Sequence, residues 1–306
     1  MKVFITGGAG YIGTKLVKHL VNDPKVDQII VYDNLSKAHY NFFLGNHFDN
    51  GHKIQSVRGD ILDTRLLNKL MKDVDVVVHL AAIVTTPFAN TDPHFYEQVN
   101  HWGTAEVVYA AEESNISKFI YLSSTSVYGA SDSLSTEETT PAPSTFYGIS
   151  KLRGEEHVGR LSEKKNSIIL RGGNVYGYSK SMRFDAVINR FMFDANFTNR
   201  IQINGNGKQS RAFIHVDYLC QSLVQAITGD VKSGTYNLVD KDLQILDIVD
   251  VLKEIYPSLE FIFTNQHMNL RELKVDSNSK LFEQIDRFVS KDLKTELLEF
   301  KEGFSF

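Results

Sequence analysis

Residues 2–13 read KVFITGGAGYIG, a short apolar run followed by a glycine-rich turn. Glycines in such a turn let backbone N–H groups approach a pyrophosphate, and the N-terminus of a following helix favours the anion. The next apolar run, QIIVY (28–32), leads into Asp33, whose carboxylate can accept hydrogen bonds from both hydroxyls of an adenosine ribose. This succession of strand, turn, helix and acid predicts a dinucleotide-binding unit at the start of the chain.

Asp33 also indicates which dinucleotide binds. A carboxylate repels the 2′-phosphate of NADP and bonds the free 2′-hydroxyl of NAD, so NAD is favoured, although Lys37 nearby could weaken this preference. Asp60, in VRGDI, could reach the adenine or could cap a helix instead. The alternative for the whole stretch is a glycine turn that only packs a strand on a helix, followed by a surface aspartate.

Further short, β-branched runs follow at intervals, and several are continuously apolar, which is typical of strands buried on both faces. They are KIQSV (53–57), VVVHL (76–80), KFIYLS (118–123), SIILR (167–171) and TYNLV (235–239). Segments of helical period lie between them, so strands and helices alternate. We therefore predict an α/β fold with a doubly wound, parallel, Rossmann-type sheet and a smaller, interleaved C-terminal substrate domain.

The regular alternation ends near residue 172, which predicts two domains. Residues 1–172 are expected to form an NAD-binding Rossmann domain, completed by a return strand near 234–240. Residues 173–306 are expected to form most of the substrate domain. Within that half, 174–181 is predicted as a loop and 182–195 as a helix.

The composition disfavours several classes of protein. The chain has 306 residues, a formal net charge of -4 and a pI near 6.2, so no nucleic-acid partner is expected. No apolar run is long enough for a membrane span, and the N-terminus lacks the pattern of a signal peptide. Cys220 is alone, so a reducing, cytoplasmic location is expected. The ten histidines lack metal-ligand spacing, and no metal is expected.

Two further segments carry groups suited to proton transfer. Ser124 lies in SSTSVYG (123–129) after a predicted strand, and Tyr147 and Lys151 share one face of a predicted helix. A tyrosine with a pKa near 10 is a poor base at pH 7, but Lys151 and the positive nicotinamide ring of NAD would favour the phenolate. Ser124 could bond the same substrate oxygen. Each motif, taken singly, can also arise by chance in a long helix or in a turn.

Motifs that resemble those of one known family occur along nearly the whole chain. They are TGGAGYIG (6–13), YDNLS (32–36), GDI (59–61), HLAA (79–82), LSSTSVYG (122–129), YGISK (147–151), RGGNVYG (171–177) and RAFIHVDYL (211–219). With them, the chain resembles the extended short-chain dehydrogenase/reductase family, whose members mostly act on nucleotide sugars. The resemblance implies that Tyr147 is the catalytic base, that Lys151 lowers its pKa and holds the nicotinamide ribose, and that Ser124 binds the sugar oxygen being oxidised.

The resemblance implies further contacts, residue by residue. The expected cofactor contacts are Gly7, Gly10, Tyr11, Ile12, Gly13, Asp33, Asn34, Asp60, Ile61, Leu80, Ala81, Ala82, Asn100, Tyr147 and Lys151. Asn174 and Arg211 match positions that hold the nucleotide diphosphate, and a guanidinium is also suited to phosphate because it can bond it bidentately. Arg271 matches a second diphosphate-binding arginine, with an exposed structural arginine as an equal alternative.

The residues after Ser124 narrow the reaction. A 4,6-dehydratase of the family carries an Asp-Glu pair there, whereas this chain has Thr125 and Ser126, so dehydration is disfavoured. Reductases that make 6-deoxy sugars use a Cys near the site and normally NADP, but Cys220 lies on a late predicted helix. We therefore predict an NAD-dependent nucleotide-sugar 4-epimerase that acts on a UDP-sugar through a transient 4-keto intermediate.

Three alternatives remain open from the sequence. The first is a uronate-sugar epimerase of the same family, and the second is an NAD-dependent nucleotide-sugar dehydrogenase or reductase of that family. The third is a non-catalytic NAD-sensing protein.

Two other surfaces carry predictions. Helices near 93–113 and 147–161 are expected to pair across a twofold axis in a homodimer, as the resemblance also implies. In MRFDAVINRFMF (182–193), core packing is the favoured explanation of the aromatic residues, with a wall of the nucleotide pocket as the alternative. Arg183 in that segment is a candidate for facing an anionic substrate.

Overall fold

The computed structural model describes residues 1–38, 40–44, 48, 50–84, 92–265 and 272–304. Its strands are β1 (Lys2–Thr6), β2 (Gln28–Asp33), β3 (Ile54–Arg58), β4 (Val76–His79), β5 (Lys118–Ser124), β6 (Ser131–Ser135), β7 (Asn166–Gly172), β8 (Asn174–Tyr176), β9 (Arg200–Asn204), β10 (Ser210–His215), β11 (Gly234–Leu238), β12 (Lys241–Gln244), β13 (Glu260–Thr264) and β14 (Leu273–Val275).

Its α-helices are α1 (Tyr11–Leu20), α2 (Thr64–Met71), α3 (Pro93–Tyr96), α4 (Gly103–Glu112), α5 (Phe146–Leu161), α6 (Val187–Thr198), α7 (Val216–Thr228), α8 (Ile245–Ile255) and α9 (Leu293–Glu302). A π-helical segment, Glu97–Trp102, joins α3 to α4. Short 3₁₀ segments lie at Tyr40–Phe42, Gly51–Lys53, Thr125–Tyr128 and Lys280–Glu283.

The centre of the molecule is a seven-stranded parallel sheet in the order β11-β7-β5-β4-β1-β2-β3. Both faces of this sheet are buried: along β1, Val3 and Ile5 pack into one hydrophobic cluster while Phe4 packs into another. Successive side chains of a strand point to opposite faces, so a continuously apolar run results when both faces are covered.

Helices cover the two faces. α1 and α7 lie on one face, where Leu16 and Leu223 belong to the same cluster, and α2, α4 and α5 lie on the other with Leu67, Val107 and Val158. This is the doubly wound α/β arrangement that the sequence predicted. The strand order reverses between β1 and β4, and a crevice at the carboxyl ends of strands at such a point is where ligands bind in this architecture.

The edge strand β11 comes from the second half of the chain. Residues 234–238 pair in parallel with 168–172 of β7, and they fall within the range predicted for a return strand. The helix before this strand, α7, packs beside α1. The C-terminal half therefore completes the central sheet as well as extending beyond it.

Smaller sheets and a separate hydrophobic cluster form the rest of the C-terminal half. β12, β10 and β8 form one sheet, β13 pairs with β9, and β14 pairs with β6. The cluster includes Phe191 of α6, Leu252 of α8 and Phe300 of α9. Within the described ranges, no helix combines the length and the apolar character needed to cross a membrane.

Two local predictions for this half were wrong. Residues 174–176, predicted as a loop, form β8 because they pair in parallel with 213–215 of β10. The helix predicted from residue 182 begins only at Val187, because Ala186 has an extended backbone. The strands β9, β10, β12 and β13 were not predicted.

Candidate active site

The glycine-rich turn after β1 packs closely against the end of β4. Gly7 has φ +68°, and a Cβ atom there would lie 2.7 Å from the backbone nitrogen of Ala81. A Cβ atom at Gly13 would lie 2.5 Å from the carbonyl oxygen of Gly7, so both positions require glycine. Gly10 caps α1 without a side-chain hydrogen bond, and the first turn of α1 holds no acidic residue. The positive end of α1 is therefore available to an anion.

A cavity of about 560 Å³ opens beside this turn, near the carboxyl ends of β1, β2 and β4. Its wall includes many of the expected cofactor contacts, namely Gly7, Gly10, Tyr11, Ile12 and Gly13 from the first turn, Asp33, Asn34, Asp60 and Ile61 from the strand ends, and Leu80, Ala81 and Ala82 after β4. Lys37 and Arg183 also line it. A helix N-terminus and carboxylates in one cavity suit the pyrophosphate and the ribose of a dinucleotide, so the residues present fit NAD.

The Asp33 carboxylate ties the glycine-rich turn to the end of β2. One oxygen accepts a hydrogen bond from the backbone N–H of Ala9 at 3.1 Å, and the other accepts one from Leu35 at 2.8 Å. Two carboxylate oxygens offer about four acceptor sites in all. Asp33 can therefore hold the turn and still accept hydrogen bonds from a ribose.

Asp60 lies just after β3, next to Asn34 in the cavity wall. Its carboxylate accepts hydrogen bonds from the Asn34 side chain and from the backbone N–H of Leu62, both at 3.0 Å. Asp63, not Asp60, caps α2, because its side chain accepts a hydrogen bond from the N–H of Leu66. The carboxylate of Asp60 is thus left beside the cavity.

Ser124, Tyr147 and Lys151 meet at the carboxyl end of β5. Ser124 is the last residue of β5, Tyr147 lies in the first turn of α5, and Lys151 follows one turn later. The Lys151 Nζ atom donates to the carbonyl oxygen of Leu122 at 2.7 Å and lies 4.1 Å from the centre of the Tyr121 ring. Helix α5 is therefore held against the strand that carries Ser124.

Burial and neighbouring groups shift the pKa values of Tyr147 and Lys151. Burial raises the pKa of Tyr147 above its usual value, while the charge of Arg183 and a hydrogen bond with Ser124 act to lower it. Burial lowers the pKa of Lys151 to about 7, and the charge of Glu155 opposes that change. The expected effect of Lys151 on the pKa of Tyr147 stays a prediction, and Arg183 and Ser124 are two further groups that favour the phenolate.

Asn100 is fully buried in the π-helical segment and makes all its side-chain contacts within the protein. Its Oδ1 accepts from the N–H of Ile83 at 2.8 Å, and its Nδ2 donates to the Ile83 carbonyl at 2.9 Å and to the Ser150 hydroxyl at 3.1 Å. Ile83 lines the cavity and Ser150 precedes Lys151, whereas Asn100 does not line it. Asn100 therefore joins the cavity wall to α5 instead of facing the cavity itself.

The expected diphosphate contacts lie in the C-terminal half, outside the wall of this cavity. Asn174, at the start of β8, is exposed, and its side chain donates to the carbonyl oxygen of Ala212 at 3.0 Å. Arg211 is on the neighbouring strand β10, where burial lowers its pKa and the charge of Glu272 opposes that change. The structure brings Asn174 close to Arg211 along the paired strands. Arg271 lies outside the described residues.

Some aromatic residues around the site were not predicted. Tyr96 of α3 is buried, with its ring centre 6.4 Å from that of Tyr147, and Phe95 lines the cavity. Phe184 also lines the cavity, whereas Phe191 belongs to the core, so both explanations of the aromatic segment apply, each to part of it. A lone aromatic residue in a short helix or a loop has no motif, and its sequence context does not separate the two roles.

Comparison with known proteins points to one family. A model described as the NAD dependent epimerase/dehydratase family matches residues 3–238. A putative UDP-glucose 4-epimerase of Methanocaldococcus jannaschii is 30% identical over 259 residues, covering 82% of this chain and 81% of that protein. A dTDP-D-glucose 4,6-dehydratase of Homo sapiens is 30% identical over 244 residues, covering 78% of this chain and 68% of that protein.

Solved structures agree over almost the whole length. UDP-glucuronic acid 4-epimerase from Bacillus cereus, in complex with UDP-glucuronic acid and NAD, matches with a TM-score of 0.87 and 26% identity, covering 99% of this chain and 98% of that one. UDP-N-acetylglucosamine 4-epimerase from Methanobrevibacter ruminantium matches with a TM-score of 0.86 and 26% identity, covering 99% and 97%.

Proposed function

This chain belongs to the NAD dependent epimerase/dehydratase family, and we propose that it is an NAD-dependent 4-epimerase of a UDP-sugar. The observation that carries the proposal is the meeting of Ser124, Tyr147 and Lys151 at the end of β5. Thr125 and Ser126 follow, where a 4,6-dehydratase of the family would carry Asp and Glu. The site thus has a base for oxidation at C4 and lacks the two acids that removal of water requires.

The mechanism follows from these side chains. The glycine-rich turn and Asp33 would hold NAD, which would supply a reversible hydride acceptor for C4 of the sugar. Tyr147 removes the proton of the C4 hydroxyl and gives it back once the keto sugar has turned over, so the cycle is balanced in protons and electrons. Ser124 shares a hydrogen bond with Tyr147 and is placed to orient the same sugar oxygen. The charge of Arg183 favours the phenolate form of Tyr147.

The two halves of the chain have different proposed tasks. Residues 1–172, completed by the strand at 234–238, bind NAD, and residues 173–306 mostly bind the nucleotide sugar. In the second half, Asn174 and Arg211 are proposed to hold the diphosphate. The hydrogen bond from Asn174 to Ala212 supports this pairing, because Ala212 directly follows Arg211 on β10.

A uronate sugar is a second candidate substrate because of Arg183. This residue lines the cavity, its side chain keeps 26% exposure, and it acts on Tyr147 through its charge. Its present partner is Asp185, with Nε 2.8 Å from Oδ1. A guanidinium can exchange such a partner for a sugar carboxylate with the same bidentate geometry.

The proposal is tested by incubating the protein and NAD with UDP-glucose, UDP-galactose, their N-acetyl forms and UDP-glucuronic acid, and following the sugars by NMR. We expect interconversion of one C4 pair without net formation of NADH. Net NADH formation would identify a dehydrogenase instead, and loss of the sugar C6 hydroxyl would identify a dehydratase.

An Arg183→Met variant separates neutral from anionic substrates. If the natural sugar is a uronate, kcat/KM for UDP-glucuronic acid falls much more than that for UDP-glucose, because only the former loses a charge partner. Equal losses for both sugars would rule out the uronate.

We also propose that the protein is a cytoplasmic homodimer. The π-helical segment and α4 expose Trp102 (55%) and Tyr109 (40%), and His157 of α5 stacks on His101 with ring centres 5.2 Å apart. An aromatic surface across two neighbouring helices is suited to pairing with its own copy. Light scattering tests this, since a species of 34.6 kDa at micromolar concentration would contradict it.

A further inference from the structure

Buried hydrogen bonds join the start of α1 to the segment 177–183, far along the chain. The Tyr11 hydroxyl donates to the carbonyl oxygen of Gly177 at 2.6 Å, and the Ser179 hydroxyl donates to the carbonyl oxygen of Tyr11 at 3.0 Å. The hydroxyls of Thr14 and Ser181 are 2.9 Å apart. We call these three contacts the latch. Its four side chains are all at least 94% buried, so each contact is shielded from competing water.

Asn189 of α6 holds both ends of the same segment. Its Oδ1 accepts from the N–H of Gly177 at 3.0 Å, and its Nδ2 donates to the carbonyl oxygen of Arg183 at 3.0 Å. Asn189 is fully buried. At the first of these ends the backbone is in an unusual conformation: Gly177 has φ +113°, and a Cβ atom there would lie 2.4 Å from Nε2 of His215.

The latch connects two parts of the cavity wall that come from different halves of the chain. One part is the start of α1, and the other is formed by Met182 and Arg183, the last residues of that segment, and by Phe184 after them. Residues 177–186 have no helix or strand of their own. A loop of this kind loses conformational freedom when a ligand orders it, and that loss weakens binding unless the loop is ordered beforehand.

We propose that Ser179, Ser181, Thr14 and Asn189 are positioning residues for the sugar nucleotide: they fix the segment that carries Arg183 before the substrate arrives. This inference rests on the proposed function for the identity of the ligand. The latch leaves the NAD side of the cavity as it is, because α1 is already held by its packing on the sheet and on α7. Loss of the latch should therefore weaken binding of the UDP-sugar more than that of NAD.

The test compares two variants that each remove buried serine hydroxyls. Ser179→Ala combined with Ser181→Ala removes two contacts of the latch. Ser222→Ala is the matched control, since Ser222 is equally buried on α7 and its hydroxyl makes no hydrogen bond with any residue that the structure describes. We expect the double variant to raise KM and Kd for the UDP-sugar about tenfold, with kcat and the affinity for NAD both changed less. The control should behave as the unmodified protein.

A second measurement does not depend on turnover. Hydrogen exchange of the NAD-loaded protein should be faster for the amides of 177–185 in the double variant, with the central strands unchanged. Thr14→Ser, which keeps the hydroxyl, should show neither effect. The proposal would be overturned if hydrogen exchange in this segment were unchanged in the double variant. It would also be overturned if that variant lost affinity for NAD and for the UDP-sugar equally. Absence of any epimerisation by the unmodified protein would contradict the proposed function, while exchange and the binding of UDP would still test the latch.

Discussion

The Nζ atom of Lys151 donates to the carbonyl oxygen of Leu122, two residues before Ser124 on β5. The base and the serine come from different elements, one on a helix and one on a strand, and this bond sets the distance between those elements. The ring of Tyr121 beneath the ammonium adds a second contact on the same strand. Lys151 is therefore a structural link between α5 and β5 as well as a member of the proposed catalytic group.

Tyr147→Phe is expected to lower kcat at least about 100-fold, because the ring remains and only the hydroxyl that moves the proton is lost. Stopped assays with the preferred UDP-sugar measure this, and tightly bound NAD is measured on the same sample. Tyr109→Phe, which changes an exposed tyrosine of α4, is the control and should keep full activity. Full activity of Tyr147→Phe would exclude this tyrosine as the base.

Asp33→Asn is expected to weaken NAD binding and to reduce the preference for NAD over NADP, each by about tenfold. The amide removes the charge that repels a 2′-phosphate and is a weaker acceptor for the ribose hydroxyls. Calorimetry on cofactor-stripped protein gives the dissociation constants of NAD and of NADP. Asp63→Asn keeps a capping oxygen at the start of α2 and lies outside the cavity wall, so its constants should not change. An unchanged NAD to NADP ratio in Asp33→Asn would remove the role assigned to this carboxylate.

Because of the buried His79, we expect the free energy of unfolding to fall in acid. Its ring lies between the hydroxyls of Thr6 and Thr104, and burial lowers its pKa to about 3. In the unfolded chain its pKa is near 6.5, so between pH 6.5 and 3 the unfolded state binds the extra proton. The free energy of unfolding therefore falls as the pH is lowered through this window, by roughly 1.4 kcal/mol per pH unit from this residue.

Urea titrations of the unmodified protein and of His79→Gln at pH 7 and pH 4.5 isolate this contribution. The variant should be less stable at pH 7, and the difference in unfolding free energy should shrink at pH 4.5, because glutamine does not titrate. A constant difference would show that His79 does not carry the effect.

Lys118 lies outside the candidate active site, and we expect it to contribute strongly to the free energy of unfolding. Its buried Nζ donates to the carbonyl oxygens of Ala226, Ile227 and Gly229 at 2.7, 3.0 and 2.6 Å, at the end of α7. Lys118→Met leaves these acceptors without a donor, and we expect a loss of about 3 kcal/mol of unfolding free energy. Chemical denaturation measures it, with the exposed Lys69→Met as the control. Loss of less than about 0.5 kcal/mol would contradict this role.

Much of the fold was predictable because its signals are local. Continuous apolar runs indicated strands covered on both faces, and the glycine turn with Asp33 indicated the first βαβ unit. Tyr147 and Lys151 could be placed on one helix face from their spacing alone. The short strand β13 was missed because its partner, β9, is distant in the sequence, and pairing over such distances has no local pattern.

The site residues illustrate the same limit. Asn100 matches a cofactor-contacting position by resemblance, yet a π-helical segment and full burial direct its amide to Ile83 and Ser150. Arg183 lies in the cavity wall because Asn189 and the latch hold the segment before Val187. These residues come together only in the folded chain. Motifs therefore indicated the proposed reacting groups, whereas the residues proposed to orient them could be found only from tertiary contacts.

The position of β11 has a consequence for synthesis on the ribosome. The outer edge of β7 is covered only when residues 234–238 have emerged, well after the rest of the sheet has been translated. During that interval a long, apolar strand edge is open to pairing with other nascent chains. A shortened gene that stops at residue 172 would make this temporary exposure permanent, so such a fragment should aggregate even though it contains the dinucleotide-binding turn.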